Sequence, residues 1–152
     1  MKTDKCYDAA LKYLETRPRT YYETVKRLKE RGFEADEITR AMELVLKYGY
    51  IDDKQYAQEY ALSRIGTGNF GPRRIKQELR LKGIDGALID GAIARAMESH
   101  DETEAAKGFI MKKRVDLSSL DIKGRKRLSD MLARRGFSYS AIKTALSGED
   151  DE

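Results

Sequence analysis

One hexapeptide pattern occurs three times in this chain, and its recurrence restricts the possible folds more than any other feature. LKERGF at Leu28–Phe33 returns as LRLKGI at Leu79–Ile84 and as LARRGF at Leu132–Phe137, so Gly32, Gly83 and Gly136 stand 51 and 53 positions apart. The common pattern is Leu, two variable residues, a basic residue, Gly and a large apolar residue. The agreement continues downstream. Six residues after each Gly come Ile38, Ile89 and Ile142, and ten after come Met42, Ile93 and Leu146. Self-similarity at a fixed long period is the signature of a tandem-repeat architecture.

Each copy reads as three helices. In DDKQYAQEYALSR the residues Tyr56, Ala57, Tyr60, Ala61 and Arg64 fall on one helical face, with no strand alternation. Asp52 is placed to cap that helix, Gln55 to reach back as in a capping box, and Ile51 and Tyr56 to staple over the cap. The second helix starts at Pro72, which has no N–H to leave unsatisfied in a first turn. It carries Ile75 and Leu79 inward and ends at Gly83, where a left-handed residue lets Ile84 fold back on the last turn. The third runs roughly from Ala87 to Glu98, with Leu88, Ile89, Ala92, Ile93 and Met97 along one side. YDAALKYLETR, YYETVKRLKERGF and ADEITRAMELVLKYGYI repeat the plan before it, and ETEAAKGFIMKKR, KGRKRLSDMLARRGF and SYSAIKTALSG repeat it after. The basic-Gly-apolar motif is then the turn between second and third helices, as in a helix-turn-helix. A unit of about fifty residues is small for independent stability. The expectation is an elongated all-α array of three three-helix units at residues 1–51, 52–100 and 101–148, with an acidic tail at 149–152.

The stretch RIGTGNFGPRRIKQEL spaces Gly66, Gly68 and Gly71 as G-x-G-x-x-G, the fingerprint of a dinucleotide loop. That loop requires a strand before it and an acidic residue ending the next strand about twenty positions later. Here a capped helix precedes the glycines and Asp90 sits inside a helical pattern, so no nucleotide cofactor is expected. Gly66 and Gly68 end a helix and allow a turn, and Gly71 lets the chain enter the next one. Phe70 has two readings, a core plug or an exposed ring able to stack.

No catalytic or metal centre emerges. Asp52 and Asp53 are adjacent and diverge in direction, without a His or further carboxylate beside them, and capping accounts for Asp52. The single cysteine, Cys6, lies far in sequence from the single histidine, His100, which reads as a surface or helix-end residue. Tyr21, Tyr22, Tyr48 and Tyr50 lie near helix junctions, where packing between repeats competes with base stacking as their role. No stretch approaches a membrane span, and MKTDKCYDAALKYLE lacks an apolar signal core, so a cytoplasmic location is expected.

Charge is distributed unevenly. Charged residues make up 37% of the chain and the net charge is +4, but between Lys107 and Lys143 eleven Lys and Arg face three Asp. The tail EDDE then adds four negative charges. A basic block before an acidic terminus fits a polyanion-binding surface, and a solvated helical surface is the competing reading.

The segment YIDDKQYAQEYALSR…GNFGPRRIKQELRLKGI, Tyr50 to Ile84, resembles the RecX family of bacterial recombination regulators. Asp52, Asp53, Tyr56, Ala57, Gly71, Pro72, Arg73, Ile75, Leu79, Lys82, Gly83 and Ile84 match that family's central repeat position by position. The flanking copies match more loosely, within a three-repeat layout that covers nearly the whole chain. The resemblance implies a monomeric, non-enzymatic protein that lies in the groove of the RecA filament on DNA. It implies inhibition of strand exchange, ATP hydrolysis and co-protease activity, and binding to single- and double-stranded DNA without strong sequence preference. A stand-alone helix-turn-helix DNA binder is the alternative.

The residues are compatible with such a role. On a helical wheel Arg73, Lys76 and Arg80 share a face roughly opposite Ile75 and Leu79, with Arg64, Arg74 and Lys82 in the same segment. The third copy adds Lys112, Lys113 and Arg114, then Lys123, Arg125, Lys126 and Arg127, then Arg134 and Arg135. These are the candidate DNA or filament contacts, since phosphate neutralisation by Lys and Arg gives salt-dependent, sequence-tolerant affinity. For Arg134 and Arg135, stabilising a helix C-terminus competes with partner binding.

Overall fold

The computed structural model describes residues 2–148, with side chains from residue 5 onward. The expected acidic tail at 149–152 lies outside the described residues. Nine α-helices and one 3₁₀ turn account for the regular structure, and there is no strand among the described residues. Three helices fall in each expected repeat. They are α1 (Lys2–Thr16), α2 (Tyr21–Glu30) and α3 (Ala35–Lys47), then α4 (Asp53–Gly66), α5 (Pro72–Leu81) and α6 (Gly86–Met97). The last three are α7 (Glu102–Lys112), α8 (Ile122–Arg134) and α9 (Tyr139–Ser147), with the 3₁₀ turn at Leu117–Ser119 between α7 and α8.

The helices begin where the sequence supplies acceptors. Thr20 and Glu23 form a reciprocal capping box at α2, Asp101 accepts from the Glu104 N–H at α7, and Asp121 and Ser138 cap α8 and α9. At α4, Asp52 accepts from the Gln55 N–H at 3.0 Å, the cap expected of it.

The repeated hexapeptide makes the same turn three times. The N–H of Phe33, Ile84 and Phe137 donates to the carbonyl of Leu28, Leu79 and Leu132, at 3.2, 3.3 and 3.2 Å. The glycine N–H before each donates to Lys29, Arg80 and Ala133. That pair of bonds is a Schellman motif, and it places each glycine in the left-handed region, at φ of +87°, +76° and +93°.

The chain divides into two compact units, Met1–Ala57 with Leu79–Ile89 and Gln58–Glu78 with Asp90–Glu152. In the first, α1 packs on α2 and α3 around Cys6, Ala10, Leu28, Ile38, Ala41, Met42, Val45 and Ile51. In the second, α9 packs on α7 and α8 around Phe109, Ile110, Leu128, Leu132, Phe137 and Ile142, and the rings of Phe109 and Phe137 lie 6.4 Å apart. Each fully buried large side chain contributes about 1.5–3 kcal/mol. In α4 the buried stripe is Ala57, Ala61 and Ile65, while Tyr56, Tyr60 and Arg64 flank it half-buried. In α6 it is Ile89, Ala92 and Ala96, and Leu88, Ile93 and Met97 are only partly covered. Both stripes are narrower than the expected faces.

Each unit also contains a junction between a repeat's turn and the start of an earlier repeat's second helix. In the first unit, Thr20 is fully buried and its Oγ1 donates to the Lys82 carbonyl at 2.6 Å. Asp53 accepts from the Tyr21 N–H at 2.9 Å, and Tyr22 covers Gly83 so closely that a Cβ there would lie 2.2 Å from it. In the second unit, the Gly71 N–H donates to the Arg135 carbonyl at 2.8 Å, and the Arg73 N–H to the Gly136 carbonyl at 3.1 Å. A Cβ on Gly136 would lie 2.3 Å from the Arg74 nitrogen, and one on Gly71 2.4 Å from the Gly136 oxygen. Gly71 therefore does more than admit the chain to a helix. It allows two backbones to meet.

Candidate nucleic-acid interface

In the second unit the glycine-containing loop after α4 folds over the start of α5 and carries Phe70 into a group of cations. Gly66 is the last residue of α4, and the Gly68 N–H closes the turn on Ile65 at 3.0 Å, as expected of them. Phe70 is half-buried. The guanidinium carbons of Arg64, Arg135 and Arg74 lie 4.1, 5.3 and 5.8 Å from its ring centroid. Phe70 is therefore neither the core plug nor the free stacking ring expected as alternatives, because it is half-buried with cations rather than core side chains against it. Cation–π contacts of this length contribute about 0.5–1 kcal/mol each at exposed sites.

One carboxylate, Glu78, organises the cluster. Arg64 Nη2 contacts both of its oxygens, at 3.0 and 2.8 Å. Arg74 Nε stands 3.4 Å away, and the Tyr60 hydroxyl donates to it. Burial alone would raise the Glu78 pKa, but the Tyr60 hydrogen bond and the Arg64 and Arg74 charges outweigh it and hold the carboxyl below its ordinary value. With Arg64 and Arg74 on one ionised carboxylate and Arg135 beside the same ring, the group around Phe70 carries an excess of two positive charges.

The α7 end and the α8 end extend this region. Lys112 Nζ donates to the Thr67 carbonyl at 3.1 Å and approaches Asn69 Oδ1 at 3.5 Å. Lys113 and Arg135 both lie over the Phe109 ring, at 5.4 and 5.3 Å. Arg114 is exposed and takes φ of +55°, the one non-glycine positive φ among the described residues. Arg74 Nη1 donates to the Arg134 carbonyl at 3.1 Å, satisfying an end of α8, while the Arg134 side chain stays exposed.

The remaining candidates fall into different situations. Lys76 is ion-paired with Asp90 at 3.2 Å, both partly exposed. Arg73 and Arg80 are exposed, and no carboxylate pairs with either among the described residues. Lys82 lies 5.7 Å from the Tyr56 ring. Arg125 is a tether: Nη1 donates to the Leu146 carbonyl at 3.1 Å and Nη2 to Leu117 at 3.4 Å. Lys123, Lys126 and Arg127 project from the exposed side of α8. The sequence singled out neither Glu78 nor Asn69. Arg64 and Glu78 are fourteen residues apart on different helices, a spacing that carries no periodic signal.

Other singled-out residues have local roles. His100 Nδ1 lies 3.0 Å from the Ala96 carbonyl and 3.1 Å from Ser99 Oγ, at the end of α6. Of the four tyrosines, Tyr22 packs at a junction, whereas Tyr48 and Tyr50 are more than half exposed. No group of three or more metal-ligating side chains converges among the described residues. No described helix is long and apolar enough to cross a membrane.

Comparison with known proteins shows the same tripartite order. Family models described as the first, second and third three-helix domains of RecX match residues 6–43, 52–93 and 100–146. A Vibrio vulnificus protein named Regulatory protein RecX is 35% identical over 144 residues, covering 95% of this chain and 92% of its own. A Bacillus licheniformis protein of the same name is 34% identical over 151 residues, covering 97% of this chain and 56% of its own. The crystal structure of RecX from Lactobacillus salivarius superposes with a TM-score of 0.80 at 27% identity, covering 97% of this chain and 96% of that one.

Proposed function

Because the chain belongs to the RecX family, we propose that it is a non-enzymatic regulator that binds the RecA filament on DNA and inhibits strand exchange, ATP hydrolysis and co-protease activity. In this reading Arg135, Arg134, Lys112, Lys113 and Arg114 meet the phosphate backbone, and the exposed Arg73 and Arg80 meet either phosphates or the recombinase. Single- and double-stranded DNA are bound with little sequence preference, in the cytoplasm.

The observation that carries the DNA half is the cation cluster around Phe70, in which Glu78 is the one carboxylate against Arg64 and Arg74, with Arg135 beside them. A fold in need of a structural ion pair would balance its charges. Here Arg64 and Arg74 share Glu78, while Arg135 lies over the Phe70 and Phe109 rings and is paired with no carboxylate among the described residues, so the group keeps an excess of positive charge and hydrogen-bond donors to spare. Arginine held in this way is suited to phosphate, because its planar fork matches two phosphate oxygens. Neutralising Z phosphates makes log K fall with log salt at about 0.7Z for single strands and 0.9Z for duplex.

The alternative of a stand-alone helix-turn-helix reader has less support. Helix α6, which follows the turn and would be its recognition helix, exposes Asp90, Gly91, Ala94 and Arg95, a single cation opposed by a carboxylate. Base readout requires several donors on that helix. The test is RecA ATPase on single-stranded DNA with increasing amounts of this protein. Inhibition near stoichiometric ratios supports the proposal, and unchanged ATPase sinks the regulatory reading. Binding to random against selected duplexes separates the two: uniform, salt-sensitive affinity supports the first, and a large specificity ratio the alternative.

A further inference from the structure

We propose that the first unit carries a binding site of its own for single-stranded nucleic acid, built on Tyr13, Arg19, Tyr22, Lys26 and Arg27. The basis is a correspondence between repeats. Shifted by the 51 positions that separate Gly32 from Gly83, Tyr13 falls on Arg64, Arg19 on Phe70, Glu23 on Arg74 and Arg27 on Glu78. Ring and guanidinium have exchanged places, and so have acid and base, and both kinds of attraction survive such an exchange. The guanidinium carbons of Arg19 and Arg27 lie 4.2 and 5.9 Å from the Tyr13 ring centroid, as that of Arg64 lies 4.1 Å from the Phe70 centroid. In both clusters the arginine nearest the ring has a buried Nε that meets no acceptor among the described residues, so the ring sets its place.

The first cluster is short of acid, like its counterpart. Glu23 is engaged by the Thr20 N–H at 3.1 Å and by Arg17 at 3.8 Å. Arg19, Lys26 and Arg27 pair with no carboxylate among the described residues, and Lys26 and Arg27 are exposed. Beside them is an open hollow of about 330 Å³, lined by Tyr13, Tyr22, Lys26 and Arg27 together with Glu23 and Glu30. Ligand clefts run from about 300 to 1,000 Å³, so this one suits a single nucleotide and not a duplex. Tyr22 supplies what the Phe70 group lacks. Its Cβ and Cγ press on Gly83, where an added Cβ would lie 2.2 and 2.3 Å from them, and that contact fixes the side chain. Half of Tyr22 is nevertheless exposed, whereas three guanidinium groups crowd Phe70. A fixed aromatic side chain beside unpaired cations is the combination that holds single strands, because bases stack on the ring while Lys and Arg meet the phosphates. In a duplex the bases are stacked on one another, and only the phosphates remain to be met.

The site extends the DNA half of the proposed function and does not involve the recombinase, so the test uses the full chain and DNA alone. The probe is a short oligothymidylate carrying one iodouracil, irradiated with the protein and located by peptide mass spectrometry. A cross-link is expected at Tyr22, and it should persist when Arg134 and Arg135 are both replaced by Ala. In that background Tyr22→Leu keeps the contact with Gly83 and removes the ring. It should abolish the cross-link, weaken oligothymidylate binding by roughly 5- to 150-fold and leave duplex affinity unchanged. Lys26→Gln with Arg27→Gln should lower the salt slope of oligothymidylate binding by about 1.4, the share of two phosphates on a single strand. Circular dichroism matching the parent protein establishes that the variants fold. Cross-links confined to the second unit overturn the proposal and leave DNA binding there standing, and an absence of any binding overturns both. Unchanged oligothymidylate affinity in the folded variants makes the cluster purely structural and overturns it. Thymidine monophosphate competing as well as the oligonucleotide assigns a free-nucleotide pocket and overturns the single-strand site.

Discussion

Replacing Gly136 by Ala would place a methyl group 2.3 Å from the Arg74 nitrogen and 2.4 Å from its Cβ, where the neighbour is backbone and cannot swing aside. Gly32 offers a matched control, with φ of +87° against +93° and nothing within 4 Å of its virtual Cβ. Both substitutions incur the left-handed strain of an L-residue, roughly 1–2 kcal/mol. Both also gain about 0.4–1 kcal/mol from the stiffer unfolded chain. These contributions cancel in the comparison. Gly136→Ala additionally separates α5 from the turn and weakens the hydrogen bonds from Gly71 and Arg73, at 2.8 and 3.1 Å. At about 0.5–1.5 kcal/mol net for each bond, the difference between the two variants is expected to be roughly 1–3 kcal/mol. Urea denaturation followed by circular dichroism measures it, on dilute samples. Amide hydrogen exchange supplies the local readout, with the Gly71 and Arg73 amides losing protection in Gly136→Ala and keeping it in Gly32→Ala. Equal destabilisation by the two substitutions, with unchanged exchange at residues 71 and 73, would refute the junction as a source of stability.

Three further outcomes are expected. Thr20→Val leaves the Lys82 carbonyl and the Glu23 amide without their partner at a fully buried site, and should destabilise the first unit by about 2 kcal/mol in thermal melts, with Thr20→Ser retaining most of it. Glu78 has a pKa below its ordinary value in the folded state, so its contribution is present above the ordinary carboxylate pKa of 4.5 and lost as pH falls through the folded value. Melting temperatures of the parent and Glu78→Gln should therefore converge on acidification, and a gap that stays constant down to the acid limit would show that the Glu78 charge stabilises nothing. Replacing Arg73 and Arg80 together by Ala should change stability by no more than about 0.5 kcal/mol. It should lower the salt slope of single-stranded DNA binding by roughly one if both meet phosphate, and an unfolded double variant would contradict their surface placement.

The turns were legible in the sequence because a Schellman ending depends on residues that are neighbours in the chain. A leucine, a glycine four positions later and an apolar residue after it determine the hydrogen bonds wherever they occur, so the three turns and the helices around them follow from local chemistry. The same locality made Asp52 readable as a cap. It also assembled the basic inventory, since the sign of a side chain's charge does not depend on its surroundings. What the charges do was decided only by tertiary structure. Arg125 and Arg127 look alike in KGRKR, yet one ties two carbonyls together and the other faces water. Arg64 and Arg73 read as equivalent candidates until Glu78, fourteen residues from Arg64, pairs with the first and leaves the second exposed. Gly71 shows the same division. Its place before a proline marks a helix entry from sequence alone, whereas its lack of a Cβ is needed by a backbone sixty-five residues away. Periodicity records which side of a helix is apolar. It holds no information on which distant backbone or carboxylate arrives there, because that depends on how the helices pack.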